Sequence, residues 1–74
     1  MDLEKRLRRP NYRPAQVGLL LDVSPATVSR MISQGQLAGS KIRGGMRVNK
    51  SSLIEFIINA GLEVDPSVLD GGVQ

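Results

Sequence analysis

At 74 residues the chain has room for one domain with a modest core. It contains no cysteine and no histidine, which excludes disulfides, thiolate metal sites and a cysteine nucleophile, and removes the commonest metal ligand and neutral-pH general base. The net charge of +3 hides an asymmetry: Lys5 to Lys50 holds all ten basic residues and one acid, Asp22, a net +9, whereas Ser51 to Gln74 holds four acids and no base.

A basic body with an acidic end points to a polyanion as the partner of the body. No apolar run approaches the roughly 18 residues of a membrane span, and no apolar signal core follows the basic N-terminus. The expected setting is therefore the reduced cytoplasm, without a membrane partner. The carboxylates are scattered and no phosphate-cradling glycine motif is present, so the chain reads as a non-enzyme without cofactor or metal.

Residues 1–13 read as a basic arm, broken by Pro10. Leu3 and Leu7, four apart, fit either a short frayed helix or a flexible arm. A first clear helix is predicted from about Pro14 to Leu21, with proline at its first position and Val17, Leu20 and Leu21 on one face. A turn at Asp22-Val23 follows. Ser24-Pro25 restarts a helix, serine as N-cap, running to about Gln34 and stopped by Gly35. On it Val28, Met31 and Ile32 face inward. Ala26, Arg30 and Ser33 face outward, flanked by Thr27, Ser29 and Gln34.

Residues 37–48 read as a hairpin turning at Gly44-Gly45. A three-residue loop, Gly44 to Met46, pairs Ile42 with Val48 and keeps both on the core face, so this register is the expected one. It sets Arg43 opposite Arg47, a like-charge pair that costs up to ~1 kcal/mol unless phosphates relieve it. The last helix is predicted from about Lys50 to Ala60, capped by Asn49 or Ser51 and ended by Gly61. Ser52 and Glu55 fit a capping box. Leu53, Phe56, Ile57 and Ala60 form its core stripe. Residues 61–74 read as a flexible acidic and apolar tail.

From Pro14 the two central helices follow the helix-turn-helix pattern. Apolar residues stand at its fourth, eighth, tenth, fifteenth and eighteenth positions (Val17, Leu21, Val23, Val28, Met31). Gly18 is the small residue where the helices cross. Asp22 takes the turn position where glycine is preferred, a place where φ is often positive and aspartate is tolerated.

From Tyr12 to Ile57 the chain resembles the excisionase-type branch of the MerR-like winged helix-turn-helix domains. The resemblance is carried by VSPATVSRMISQGQL, the Lys41-Ile42 and Met46-Arg47-Val48 strands, and Leu53. It implies a mainly α fold, a winged helix-turn-helix over residues 14–60 with a small two-stranded hairpin wing. It also implies a small DNA-binding protein: an excisionase (recombination directionality factor) binding repeated sites cooperatively and bending DNA, or a short transcriptional regulator. Partners would be double-stranded DNA, other copies of the chain, and a recombinase (integrase). Many relatives carry glycine where Arg43 stands and a bulky aromatic where Met46 stands, so the wing turn has its own geometry here.

The chemistry of the residues runs the same way. An α-helix fits the major groove, and Ser24, Ala26, Thr27, Ser29, Arg30 and Ser33 form the expected recognition surface. The amides near Ser24 and Ala26 can hold a phosphate. Lys41, Arg43, Gly44, Gly45 and Arg47 form the wing surface. In the arm, Arg8, Arg9 and Arg13, with Lys5 and Arg6, suit phosphates or a minor groove. Ile54 and Ile58 lie off the core stripe and suit a partner, whether the chain's own tail, a second copy or a recombinase. An adaptor that has lost DNA binding is the alternative from another class. RNA is disfavoured because Tyr12 and Phe56 are the only aromatics available for stacking.

Overall fold

A computed structural model describes residues 3–71. The element order is α1 (Leu3–Arg6), β1 (Asn11–Tyr12), α2 (Pro14–Leu21), α3 (Pro25–Ser33), β2 (Gly39–Ile42), β3 (Gly45–Asn49), α4 (Lys50–Ala60) and α5 (Ser67–Gly71). The predicted bounds of α2 and α4 are met, and α3 ends one residue early.

The punctuation residues explain these ends. Pro14 opens α2, and its last turn closes on Asp22 at φ 61, ψ 45. The amide of Val23 then donates to the carbonyl of Gly18 at 2.9 Å. Ser24 caps α3, its Oγ accepting from the Thr27 amide at 3.2 Å. At the other end the Gly35 and Gln36 amides donate to Ile32 and Met31, and Gly35 takes φ +81. This paired closure favours glycine, which enters the left-handed region at no steric cost. Asn49 caps α4, accepting from the Ser52 amide at 3.2 Å. Ser52 does not cap with Glu55 as expected. Its Oγ accepts from the Ala38 amide at 2.8 Å, tying the segment before β2 to α4.

The sheet has three antiparallel strands in the order β1-β3-β2. Asn11 and Tyr12 pair with Asn49 and Val48 on one side of β3. On the other side Gly39 pairs with Val48, Ser40 with Arg47, Lys41 with Met46 and Ile42 with Gly45. The hairpin register thus differs from the expected one. The turn is Arg43-Gly44, with φ +91 at Gly44, so Ile42 faces Gly45 and not Val48, and Arg43 has no arginine opposite. Three successive small or flexible residues make several registers acceptable locally. At the base of the hairpin Gly39 packs closely, where a Cβ would lie 3.0 Å from the Ile32 side chain and 3.2 Å from the Arg47 carbonyl oxygen.

The core gathers Val17 and Leu20 of α2, Val28 of α3, Leu37, Val48 of β3, and Leu53 and Ile57 of α4. Leu21, Met31 and Phe56, expected within it, are half-buried against its edge, and Val23 is exposed. The two ends of the chain depart most from the sequence reading. Leu3 and Leu7 are buried, Leu7 completely, and Tyr12 joins them through β1. The short-helix alternative for residues 3–6 is the one adopted, and the segment up to Tyr12 is part of the fold. Val64 and Pro66 are also buried, and α5 packs against α2. Residues 61–71 are therefore not a free tail. The parts of both end segments at residues 1–2 and 72–74 lie outside the described residues.

Candidate nucleic-acid interface

α2 and α3 cross where α2 has no side chain. A Cβ on Gly18 would lie 2.5 Å from the carbonyl oxygen of Val23, so the turn rests directly on the α2 backbone. That close contact sets the angle at which α3 leaves the turn. Val28 anchors α3 inward, while Ala26, Ser29, Arg30 and Ser33 are exposed and Thr27 is half-buried.

These residues are not equivalent. The hydroxyls of Ser24 and Thr27 lie 3.0 Å apart and hydrogen-bond one another, which fixes both side chains before any ligand arrives. Ser33 Oγ donates to the Ser29 carbonyl at 3.2 Å and keeps its lone pairs for a donor. The anion site expected at the helix start is narrower than the sequence suggested. Pro25 has no amide hydrogen, the Thr27 amide is held by Ser24 Oγ, and Val28 donates to the Ser24 carbonyl at 3.1 Å. The Ala26 amide is what remains for a phosphate in that turn.

The wing stands beside the second half of α3, its base fixed by the contact of Gly39 with Ile32. Lys41, Arg43 and Gly44 are exposed and Gly45 is half-buried. Arg47, also half-buried, donates from Nη1 to the Met46 carbonyl at 3.1 Å. Its guanidinium lies over the turn, where a Cβ on Gly44 or Gly45 would sit 3.6 or 3.8 Å away. From Val23 to Ile54 the chain carries Arg30, Lys41, Arg43, Arg47 and Lys50 and no acid. Lys50 is withdrawn from this set by Glu4, whose carboxylate is 3.1 Å and whose carbonyl is 2.8 Å from its Nζ.

The N-terminal cations are placed apart from the wing. β1 and β2 flank opposite sides of β3, so Arg8 and Arg9, exposed just before β1, belong to the other edge of the sheet. Arg13 is exposed immediately before α2, and its amide donates to Gln16 Oε1 at 3.0 Å. In the C-terminal segment the Asp65 carboxyl is held below the ordinary carboxylate range, first by Ser67 and to a lesser extent by the charge of Arg6. The Ser67 hydroxyl and amide both donate to Asp65.

The helix-turn-helix domain family, a group of excisionase-like DNA-binding domains, matches residues 12–60, which contain the turn, α3, the wing and α4. The chain belongs to this family. No curated protein and no solved structure matches it. As a helix-turn-helix domain it is a DNA-binding protein of a typically non-enzymatic kind. Among the described residues no helix is long and apolar enough to cross a membrane, and no cluster of three metal-binding side chains occurs.

Ile54 and Ile58, expected to share a partner-facing patch, part company. Ile54 is half-buried against the core, whereas Ile58 is 67% exposed and lines a shallow apolar groove with Leu3, Leu62 and Val64. Leu7 and Leu37 are buried core residues that the periodicity of the sequence does not reveal. Their signal is faint in sequence, because Leu7 has only the single four-residue spacing to Leu3 and Leu37 stands alone between polar and small residues.

Proposed function

We propose that this helix-turn-helix domain binds a specific double-stranded DNA sequence as an excisionase, several copies occupying repeated sites cooperatively and bending the duplex. The observation that carries the reading is the acid-free surface formed by α3 and the wing. Arg30, Ser29 and Ser33 lie on an exposed helix face, and Lys41, Arg43 and Arg47 lie on a hairpin whose base rests against the same helix.

In this reading α3 enters the major groove. Arg30 reads a guanine through two hydrogen bonds, a contact worth roughly 1–3 kcal/mol of discrimination. Thr27 and Ser29 read neighbouring base edges, and Ser24 and Ala26 meet the backbone. Arg43, Lys41 and Arg47, beside the flexible Gly44-Gly45 pair, neutralise phosphates across the groove wall. Arg8, Arg9 and Arg13 extend the phosphate contacts at the opposite edge. Ile58 serves contacts with another copy or with a recombinase. A short transcriptional regulator would use the same surface and differ only in output.

The test is a salt-dependent titration against a random duplex pool, with sequencing of the bound fraction. Enrichment of a short repeated motif, with affinity falling steeply as salt rises, is the expected outcome. Failure to retain any duplex at low salt would remove the reading and leave the adaptor alternative. An integrase-dependent recombination assay then separates excisionase from regulator.

A further inference from the structure

We infer that Ile42 is a groove-inserting side chain of the wing, packing on deoxyribose walls of the minor groove and disfavouring base pairs with a guanine 2-amino group there. The inference rests on the DNA-binding reading above and adds to it a residue that selects sequence without hydrogen bonds.

The register places Ile42 at the last position of β2, directly opposite Gly45. Residues opposite one another share a face, so Ile42 lies with Ser40, Gly45 and Arg47 on the side away from Val48 and the core. Gly45 offers no side chain to cover it, and Ile42 is 46% exposed. Lone exposed apolar residues are common. The surroundings of this one are specific: Arg43 follows it in the turn, and the Arg47 guanidinium lies against Gly44 and Gly45 on the same tip. The wing tip is thus one stiff, β-branched apolar side chain bracketed by two guanidinium groups on a surface flattened by two glycines.

A minor groove is the complement of that tip. Its walls are apolar sugar faces and its rims are phosphates. With α3 in a major groove and the wing base against α3, the next groove across one backbone is a minor groove. The floor there shows only acceptors at A·T pairs, whereas G·C pairs project the guanine amino group. An isoleucine tolerates the first and collides with the second. Apolar wedges beside arginines are a known way for proteins to hold a minor groove.

The experiment uses the full chain and the duplex enriched in the selection, with the wing-proximal pairs rebuilt as A·T, I·C or G·C. Inosine lacks the 2-amino group, so I·C matches A·T in the minor groove and G·C in the major groove. The wild-type chain is expected to bind the A·T and I·C duplexes alike and the G·C duplex about tenfold more weakly. Ile42→Ala should lose about tenfold on the A·T duplex, with an unchanged salt slope, and should no longer distinguish I·C from G·C. Arg43→Ala serves as the contrast, lowering the salt slope by about one and keeping the I·C preference. Wild-type binding that follows I·C as it follows G·C, or an Ile42→Ala chain within twofold of wild type on all three duplexes, overturns the inference while leaving DNA binding intact. No binding by the wild-type chain to any duplex overturns the DNA reading itself.

Discussion

A methyl group is decisive at Gly18. In an exposed helix interior, alanine for glycine is worth about 1 kcal/mol in favour of the helix. Here the added Cβ would sit 2.5 Å from the Val23 carbonyl oxygen, a backbone atom that cannot swing aside. Overpacking of this kind typically costs about 1–3 kcal/mol. Gly18→Ala should therefore lower the thermal midpoint, and a variant as stable as wild type would show that the α2–α3 contact yields easily. The arginines divide by role at the same scale. Arg30→Ala should flatten the preference for the selected motif while leaving the salt slope nearly intact. Arg43→Ala should weaken binding to every sequence and reduce the slope by about one. Identical behaviour of the two variants, read in parallel titrations, would refute that division.

The elements hold because local signals and packing agree along most of the chain. Pro14, Ser24-Pro25, Asn49 and Gly61 each act where the structure uses them. Asp22 takes the left-handed conformation that the helix-turn-helix pattern asks of its ninth position. The hairpin and the N-terminal helix are different. Local signals around Gly44 do not fix the loop length, and the expected three-residue loop rests only on burying Ile42 with Val48. The structure spends Val48 and Gly39 on the core face and leaves Ile42 outside. α1 is too short to persist alone, as a single turn does not recover its nucleation cost. It stands because Leu3 and Leu7 enter the core and Lys50 grips Glu4. Leu7→Ala should accordingly cost about 2–5 kcal/mol in denaturant unfolding, the range of a buried leucine. A loss below about 1 kcal/mol would return residues 3–7 to the status of a loose arm.

As a whole the molecule measures 30 × 28 × 21 Å, less than the ~34 Å of one DNA turn. A single copy thus spans less than one turn of a duplex, which is why the proposed function has several copies on neighbouring sites. The charge is asymmetric as well, with all ten cations between Lys5 and Lys50 and four of the seven acids beyond Ser51. Acid acts on the C-terminal segment through Asp65. Asp65 is held below its ordinary value of 3.8 by Ser67, so the stability it contributes is full above that pH and is lost as pH falls through the lowered value. Following the Ser67 amide resonance in an acid titration should show its release below pH 3.8, and Asp65→Asn should abolish the step. A Ser67 signal indifferent to acid would contradict the contact.

The sequence alone determined the helix-turn-helix, the bounds of α2 and α4, the caps, and the basic character of the body, because these depend on spacing, capping chemistry and charge within a few residues. It also pointed to Thr27, Ser29, Arg30, Ser33, Arg43 and Arg47 as surface groups, and each is exposed or half-buried in the structure. Tertiary structure decided the wing register, the burial of Leu3, Leu7, Leu37 and Val64, the pairing of Lys50 with Glu4, and the exposure of Val23 and Ile42. Those outcomes join residues far apart in the chain. A lone leucine or a glycine-rich turn takes its place only when the remaining surfaces compete for the same few hundred Å² of core.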